Sequence, residues 1–314
     1  MNRLLLCLAG LLLATAAGAA SPVLLIHGGA GTIRAADMTA GERSAYQAAL
    51  HEALEAGWAV LDAGGSALDA VAAAIQPMED SPLFNAGRGA VFTADGRNEM
   101  DASIMYGPTR AAGAVGGVRF VRHPILLARR VMEGSPHVFL AGEGALEFAI
   151  EQGLELKPAA WFHTERRWRQ LQENTGQGTD GRMGTVGAVA LDRDGHLAAG
   201  TSTGGTTGKR YGRLGDSPVI GAGTWADGEC AVSATGDGEY FIRAAAAHSI
   251  CTTAGSGDPG PAAAQVLQEI SALGGSGGVI VVTASGRYAL TFSTEGMYRG
   301  VADSLGRRVS IFAD

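Results

Sequence analysis

Met183-Gly184-Thr185-Val186-Gly187-Ala188-Val189-Ala190-Leu191 carries no charge, turns at Asp192-Arg193-Asp194-Gly195 and returns through Leu197 to Thr203. Small, apolar and β-branched residues on both sides of an Asp/Gly turn predict a buried β-hairpin. The stretch before it is its opposite. Asn174-Thr175-Gly176-Gln177-Gly178-Thr179-Asp180-Gly181 holds no apolar residue and predicts an exposed surface segment. The change from polar run to buried strand falls at Met183.

Working outward, the downstream half predicts a strand around Ala231 to Ala234, one helix from Gly238 to Ile250 and another from Pro261 to Leu273. A last hairpin joins Val279–Thr283 to Tyr288–Phe292 around Ser285-Gly286. Upstream, Val23 to Ile26 predicts a strand delivering a glycine loop, His27-Gly28-Gly29-Ala30-Gly31-Thr32. Apolar residues at helical spacing predict a helix from Glu42 to Leu61, stopped by Gly64-Gly65, and a second, capped by Ser66, through Ile75. Asp95-Gly96 predicts a hairpin between Ala90–Thr93 and Glu99–Met105. Strand and helix candidates then alternate: Ala114–Val121, Ile125–Met132, Val138–Leu140, Ala145–Ile150 and Arg166–Leu171. Hairpins with paired helices between them imply a layered α/β protein with mixed or antiparallel sheets, in one domain over residues 21–314.

The first twenty residues place Arg3 before an apolar run from Leu4 to Leu13 and small residues through Ala20. This order predicts a secretory signal peptide, hence a secreted or periplasmic protein; the run is too short for a membrane span. The net charge of −7, with Lys and Arg scattered, argues against nucleic-acid or anionic-membrane partners and favours a small ligand. Once Cys7 leaves with the leader, Cys230 and Cys251 remain, free to pair in an oxidising compartment. The seven histidines and these cysteines never fall at zinc spacing, so no catalytic metal is expected. The 48 glycines follow no fixed period and imply tight turns and backbone-lined pockets.

The His27–Gly31 run lacks the spacing of a dinucleotide loop and the lysine of a Walker loop. His27 is expected as a buried, hydrogen-bonded residue at a strand end and receives no catalytic role. Strand propensity alone would place a threonine at 185. Its company is what points to chemistry: Thr201-Ser202-Thr203-Gly204-Gly205 on the returning strand, Arg213-Leu214-Gly215-Asp216 in the next loop, and Thr235-Gly236-Asp237-Gly238 at a strand end. An arginine fork holds an α-carboxylate, an aspartate takes an α-ammonium, and a hydroxyl beside a backbone N–H faces an oxyanion.

These segments resemble the plant-type asparaginase and isoaspartyl peptidase family of N-terminal-nucleophile hydrolases over nearly the whole mature chain. Ile26-His27-Gly28-Gly29-Ala30-Gly31 resembles the family's opening, Pro82 to Phe92 its glycine-bearing loop, and Gly184 to Ala190 its cleavage site. The resemblance implies a four-layer αββα sandwich and self-cleavage at Gly184-Thr185 into an α subunit (21–184) and a β subunit (185–314). It further implies an (αβ)₂ homodimer and an asparagine or β-aspartyl dipeptide substrate. Thr185 would be the nucleophile, its freed α-amine the base, Thr203 its hydroxyl partner, and Thr235 with Gly236 the oxyanion hole. Arg213 and Asp216 would hold the substrate's α-groups, with Gly238 lining their pocket and Asn85 bracing the nucleophile's loop. Backbone carbonyls of Met78, Glu79, Phe84, Ala86 and Arg88 would bind a structural sodium ion. Asp237 would add a carboxylate beside the pocket, a feature similar to glycosylasparaginases, so cleavage of glycosylasparagine stands as the alternative. An uncleaved, silent amino-acid-binding protein is the alternative of a different class.

Overall fold

The computed structural model describes residues 20–173 and 184–313. The expected signal peptide, except Ala20, and the polar run 174–181 lie outside the described residues. The chain opens with β1 (Val23–Gly31), which stands inside an eight-stranded sheet. The glycines expected to leave the strand as a loop stay in it, because a bulge between His27 and Gly29 absorbs the irregularity. Gly29 there takes a φ of 107°, open only to glycine at little cost.

Two helices, α1 (Ala40–Asp62) and α2 (Ala67–Asp80), then cover the sheet. The first starts before Glu42, because Thr39 and Glu42 bond each other's backbone N–H in a capping box. The second continues past Ile75 through Pro77, whose missing N–H is tolerated in a last turn that buries Met78 and Glu79. The hairpin expected around Asp95-Gly96 is reduced to one bridge, Phe92 to Asn98. Thr93 Oγ1 bonds Asp95 and the Arg97 N–H there, so side-chain bonds replace a ladder. The true hairpin is β2 (Met100–Tyr106) with β3 (Ala111–Val118). Next come α3 (Pro124–Gly134), the short parallel strand β4 (Phe139–Ala141), α4 (Gly142–Glu151), α5 (Ala159–Phe162) and α6 (Glu165–Glu173).

The hairpin that opened the sequence reading forms as expected: β5 (Val186–Leu191) pairs antiparallel with β6 (Leu197–Thr203), from Val186 opposite Ser202 to Leu191 opposite Leu197. A second sheet holds β7 (Thr224–Ala226), β8 (Cys230–Gly236), β9 (Gly277–Thr283) and β10 (Tyr288–Phe292) in the order β10-β9-β8-β7. Between β8 and β9 lie α7 (Gly238–Arg243), α8 (Ala246–Ala254) and α9 (Pro259–Ala272). The single helix expected over Gly238–Ile250 is thus two, broken where Ala245 turns left-handed at φ 44°. A hairpin absent from the sequence reading, β11 (Gly296–Asp303) with β12 (Gly306–Phe312), returns to the first sheet beside β1, giving the order β12-β11-β1-β5-β6-β2-β3-β4.

Alternate side chains of each central strand enter different layers. Leu24, Ile26, Ala188 and Ala190 pack under α1 and α2 with Leu50, Leu54, Val71 and Ile75. Val23, Leu25, Val189 and Leu191 face Ala231, Ile280 and Val282 across the gap between the sheets. Val232, Val279 and Val281 meet Phe241, Ile250 and Val266 on the far side. The result is the four-layer αββα sandwich that the resemblance implies, and its central strands β1, β5, β6 and β9 are buried on both faces, which is why they read as continuous apolar runs. A Cys230–Cys251 disulfide ties β8 to α8.

Candidate active site

Antiparallel pairing brings the start of β5 to the end of β6, so Thr185, just ahead of the ladder, meets Thr203. Their hydroxyl oxygens are 2.9 Å apart, and both residues are buried. Thr203 Oγ1 also accepts the Gly205 N–H at 3.1 Å, which holds the turn against the pair.

The residue before Thr185 is equally constrained. The Gly184 carbonyl accepts the Asn85 N–H at 2.8 Å, and a Cβ on Gly184 would stand 3.0 Å from that nitrogen. Asn85 is fully used: Nδ2 donates to the Gly205 carbonyl at 2.6 Å, Oδ1 accepts from Val91, and its carbonyl accepts from Gly204. The Pro82–Phe92 loop is thereby knitted to both sides of Thr185. The Gly184-Thr185 peptide separates two cavities. On one side Gly184 faces a cavity walled by Tyr46, Arg166, Arg167 and Tyr298. Burial lowers the Arg167 pKa to about 10, and its Nε donates to the Gly89 carbonyl.

On the other side Thr185 and Thr203 open into a small cleft with Thr206, Arg213, Asp216 and Gly236. Arg213 forks onto Glu239, with Nε and Nη2 at 2.9 and 2.8 Å from its two oxygens. Burial opposes the Arg213 charge, yet the Glu239 pair holds its pKa above the ordinary value. Asp216 is buried, its Oδ2 has no hydrogen-bond partner, and burial raises its pKa to about 7. Gly238 stands against it, since a Cβ there would meet Asp216 Oδ1 at 2.9 Å. Thr235, the residue before Gly236 at the end of β8, is fully buried, its hydroxyl without a partner. A side chain on Gly236 would meet Phe241 at 2.5 Å, so the backbone stays bare where it faces the cleft.

Asp237 departs from expectation. Its carboxylate accepts the N–H and hydroxyl of Ser276 at 2.8 and 3.0 Å, and it does not line the cleft. The ion pair of Arg213 with Glu239 was missed in the sequence, although Glu239 directly follows Gly238. His27 also reaches Thr185: its Nδ1 lies 3.1 Å from the Thr185 carbonyl oxygen.

The residues proposed to hold sodium form a separate turn. The Glu79 carbonyl lies 2.2 Å from where a Cβ on Gly87 would stand, and the Phe84 carbonyl 1.9 Å from one on Gly89. Met78, Phe84 and Ala86 are buried there, while Arg88 lays its guanidinium over Trp161. Among the described residues, the nearest approach to a transition-metal ligand set is Asp192, Asp194 and His196 in the β5–β6 turn. Asp192 there accepts backbone N–H groups from Ala67, Asp194 and His196.

A model of the asparaginase family matches residues 20–310. An isoaspartyl peptidase of Escherichia coli (strain K12) is 49% identical over 293 residues, covering 88% of this chain and 91% of its own length. An isoaspartyl peptidase/L-asparaginase of Rattus norvegicus is 42% identical over 286 residues, covering 88% and 85%. A plant-type L-asparaginase of Pyrococcus abyssi is 45% identical over 239 residues, covering 71% and 76%. With its αββα layers, its paired threonines and these matches over most of its length, the chain belongs to the asparaginase family.

Proposed function

We propose that the protein is an isoaspartyl peptidase and L-asparaginase that activates itself by cleaving Gly184-Thr185. The observation that carries this reading is Thr185 Oγ1 held at 2.9 Å from Thr203 Oγ1 while the Asn85 N–H holds the Gly184 carbonyl at 2.8 Å. In the first reaction Thr185 Oγ1 attacks the Gly184 carbonyl carbon, and the Asn85 N–H takes up the developing oxyanion. The C–N bond breaks, the nitrogen gains the hydroxyl's proton, and an ester joins Gly184 to Thr185. Water opens that ester, leaving a Gly184 carboxylate and a Thr185 with free hydroxyl and α-amine.

An α-amine titrates near ~8 and can then take the hydroxyl proton, replacing the lysine or histidine base this threonine lacks. Arg213 binds the substrate's α-carboxylate and Asp216 its α-ammonium. Oγ1 attacks the side-chain amide carbon, whose oxyanion is met by the Thr235 hydroxyl and the Gly236 N–H. The leaving amine, or ammonia from asparagine, departs with a proton. Water hydrolyses the β-aspartyl ester to release aspartate.

The rest of the reading follows the same family logic. The mature enzyme is an exported (αβ)₂ dimer of chains 21–184 and 185–314; the Cys230–Cys251 bond supports an oxidising compartment. By the same family reading, a structural sodium ion would be held by the backbone carbonyls of Met78, Glu79, Phe84, Ala86 and Arg88, where it would brace the loop that carries Asn85. Purified protein should run as two fragments on a denaturing gel, the smaller beginning Thr185-Val186-Gly187. Thr185→Ala should stay one inactive chain, and Thr185→Ser should still cleave. Turnover should appear with asparagine and β-aspartyl-leucine. An active protein intact through Thr185 would sink the mechanism, and turnover of glycosylasparagine alone would replace the substrate.

A further inference from the structure

We infer that His27 is a positioning residue for Thr185, its ring held in one tautomer by a chain of buried hydroxyls that runs between the two sheets. The inference rests on the reading of Thr185 as the nucleophile. Its members come from five strands: Ser103 on β2, Thr224 on β7, Thr201 on β6, Ser233 on β8 and His27 on β1, and all five are fully buried.

The proton on each oxygen follows from the chain's end at Thr185. A carbonyl only accepts, so the 3.1 Å contact from His27 Nδ1 to the Thr185 oxygen requires a proton on Nδ1. Burial pushes the His27 pKa down to about 3, so the ring is neutral and Nε2 is an acceptor. Ser233 Oγ, at 2.9 Å, therefore spends its single proton on Nε2. Thr201, 2.6 Å from Ser233, must then donate to it. That leaves Thr201 free to accept from Thr224 at 2.6 Å. Ser103 Oγ, 2.8 Å from Thr224, closes the far end of the chain and also donates to the Ser217 carbonyl at 2.6 Å. The Gly223 carbonyl, 3.0 Å from Thr201, loses nothing, because the Ala234 N–H reaches it at 2.9 Å. From Thr224 through Thr201 to Ser233, each hydroxyl points its proton toward His27.

The nucleophile's own strand makes room for this. A Cβ on Gly187 would stand 2.0 Å from Ser233 Oγ and 2.3 Å from His27 Nε2. The glycine two residues after Thr185 is thus a gap that the His27–Ser233 contact fills. The positioning matters most after self-cleavage. The uncleaved chain is held on both sides of Thr185, by Asn85 on the Gly184 carbonyl and by the start of β5. Cleavage removes the first restraint, and Thr185 becomes a chain end outside the ladder. The His27 bond to its carbonyl then fixes the peptide plane from which Cα, the amine and the hydroxyl all hang.

The test is nitrogen NMR of protein labelled with ¹⁵N-histidine, His27 being assigned by the signals lost in His27→Asn. Wild type and uncleaved Thr185→Ala should both show a neutral, Nδ1-protonated ring that does not titrate between about pH 8 and 5. Ser233→Ala should turn the ring into a mixture of tautomers and lower kcat about tenfold, with KM within about twofold, as expected of a misplaced nucleophile. His27→Asn, which keeps an N–H donor close to the place of Nδ1, should retain more activity than His27→Leu. An Nε2-protonated ring in wild type overturns the inference. So does a Ser233→Ala variant whose ring is unchanged, whether or not its kcat falls, because the serine would then act by packing alone. Failure of the nucleophile reading registers separately, as turnover by Thr185→Ala.

Discussion

The two sides of Thr185 treat buried polar groups in opposite ways. Behind it, between the sheets, Ser103, Thr224, Thr201, Ser233 and His27 satisfy one another bond by bond. In front, at the cleft, Asp216 Oδ2 and Thr235 Oγ1 are buried without a hydrogen bond. An unpaired buried group costs free energy, whereas a paired one is close to neutral. On the proposed reading, the rear network holds Thr185 in place and the front groups gain their partners from a bound substrate.

The largest effect should come from the front. Arg213→Ala leaves Asp216 and Glu239 without their shared cation, and kcat/KM for asparagine should fall on the order of a thousandfold, as for a truncated buried charge contact. Self-cleavage, followed on gels, should proceed, since Arg213 lies in the cleft on the Thr203 side and not against Gly184. Unchanged kcat/KM would remove Arg213 from the site.

Asp216 sharpens the contrast through pH. Its folded pKa is raised to about 7, whereas an unfolded aspartate titrates near ~3.9. Between those values the folded state binds more protons, so this group's contribution to stability falls as pH rises from about 4 to 7 and stays low above. Asp216→Asn removes that penalty. It should be more stable than wild type at pH 8 by on the order of 2–4 kcal/mol, read as a higher unfolding temperature, with the gap closing toward pH 4. Turnover should fall at the same time. Equal pH dependence of melting in both proteins would show that Asp216 is not the strained group.

A matched pair of threonine substitutions separates front from rear. Thr235→Val removes an unpaired hydroxyl, so it should leave stability equal or higher while kcat drops about a hundredfold with the oxyanion donor gone. Thr224→Val breaks a paired chain and should cost about 1–3 kcal/mol of stability, with a much smaller loss of turnover. Chemical denaturation and steady-state kinetics on both variants decide it; the reverse ranking would erase the distinction. The smallest effect on chemistry belongs to the disulfide. Cys230→Ser with Cys251→Ser opens a link spanning 21 residues and should cost about 3 kcal/mol of stability while kcat stays near wild type.

Much of this was legible in the chain. The β5–β6 hairpin needed only a polar run, an apolar run and an Asp/Gly turn, and its antiparallel register by itself brings Thr185 to Thr203. Helices α1 and α2 followed from spacing and caps. What failed in the reading has local causes. Glycines that suggested a loop after Ile26 are absorbed by a bulge in β1. Ala245 breaks a helix in a run of alanines that carries no breaker. The β11–β12 hairpin was hidden because Gly296, Gly300 and Gly306 interrupt its pattern and Arg307 and Arg308 sit on its outer strand.

The sequence by itself determined the β5–β6 hairpin, the helix pair α1 and α2 and the mixed α/β class, because periodicity, turns and caps are set by neighbours along the chain. Only the tertiary structure decided which polar groups are paired and which are left open. That Arg213 is shared with Glu239, that Asp216 Oδ2 stands without a hydrogen bond and that Asp237 is spent on Ser276 depend on loops meeting at the ends of strands. The histidine 206 residues from Ser233 is joined to it by two sheets closing face to face. Burial sets the protonation of both His27 and Asp216, and burial at a single position is a property of everything packed around it.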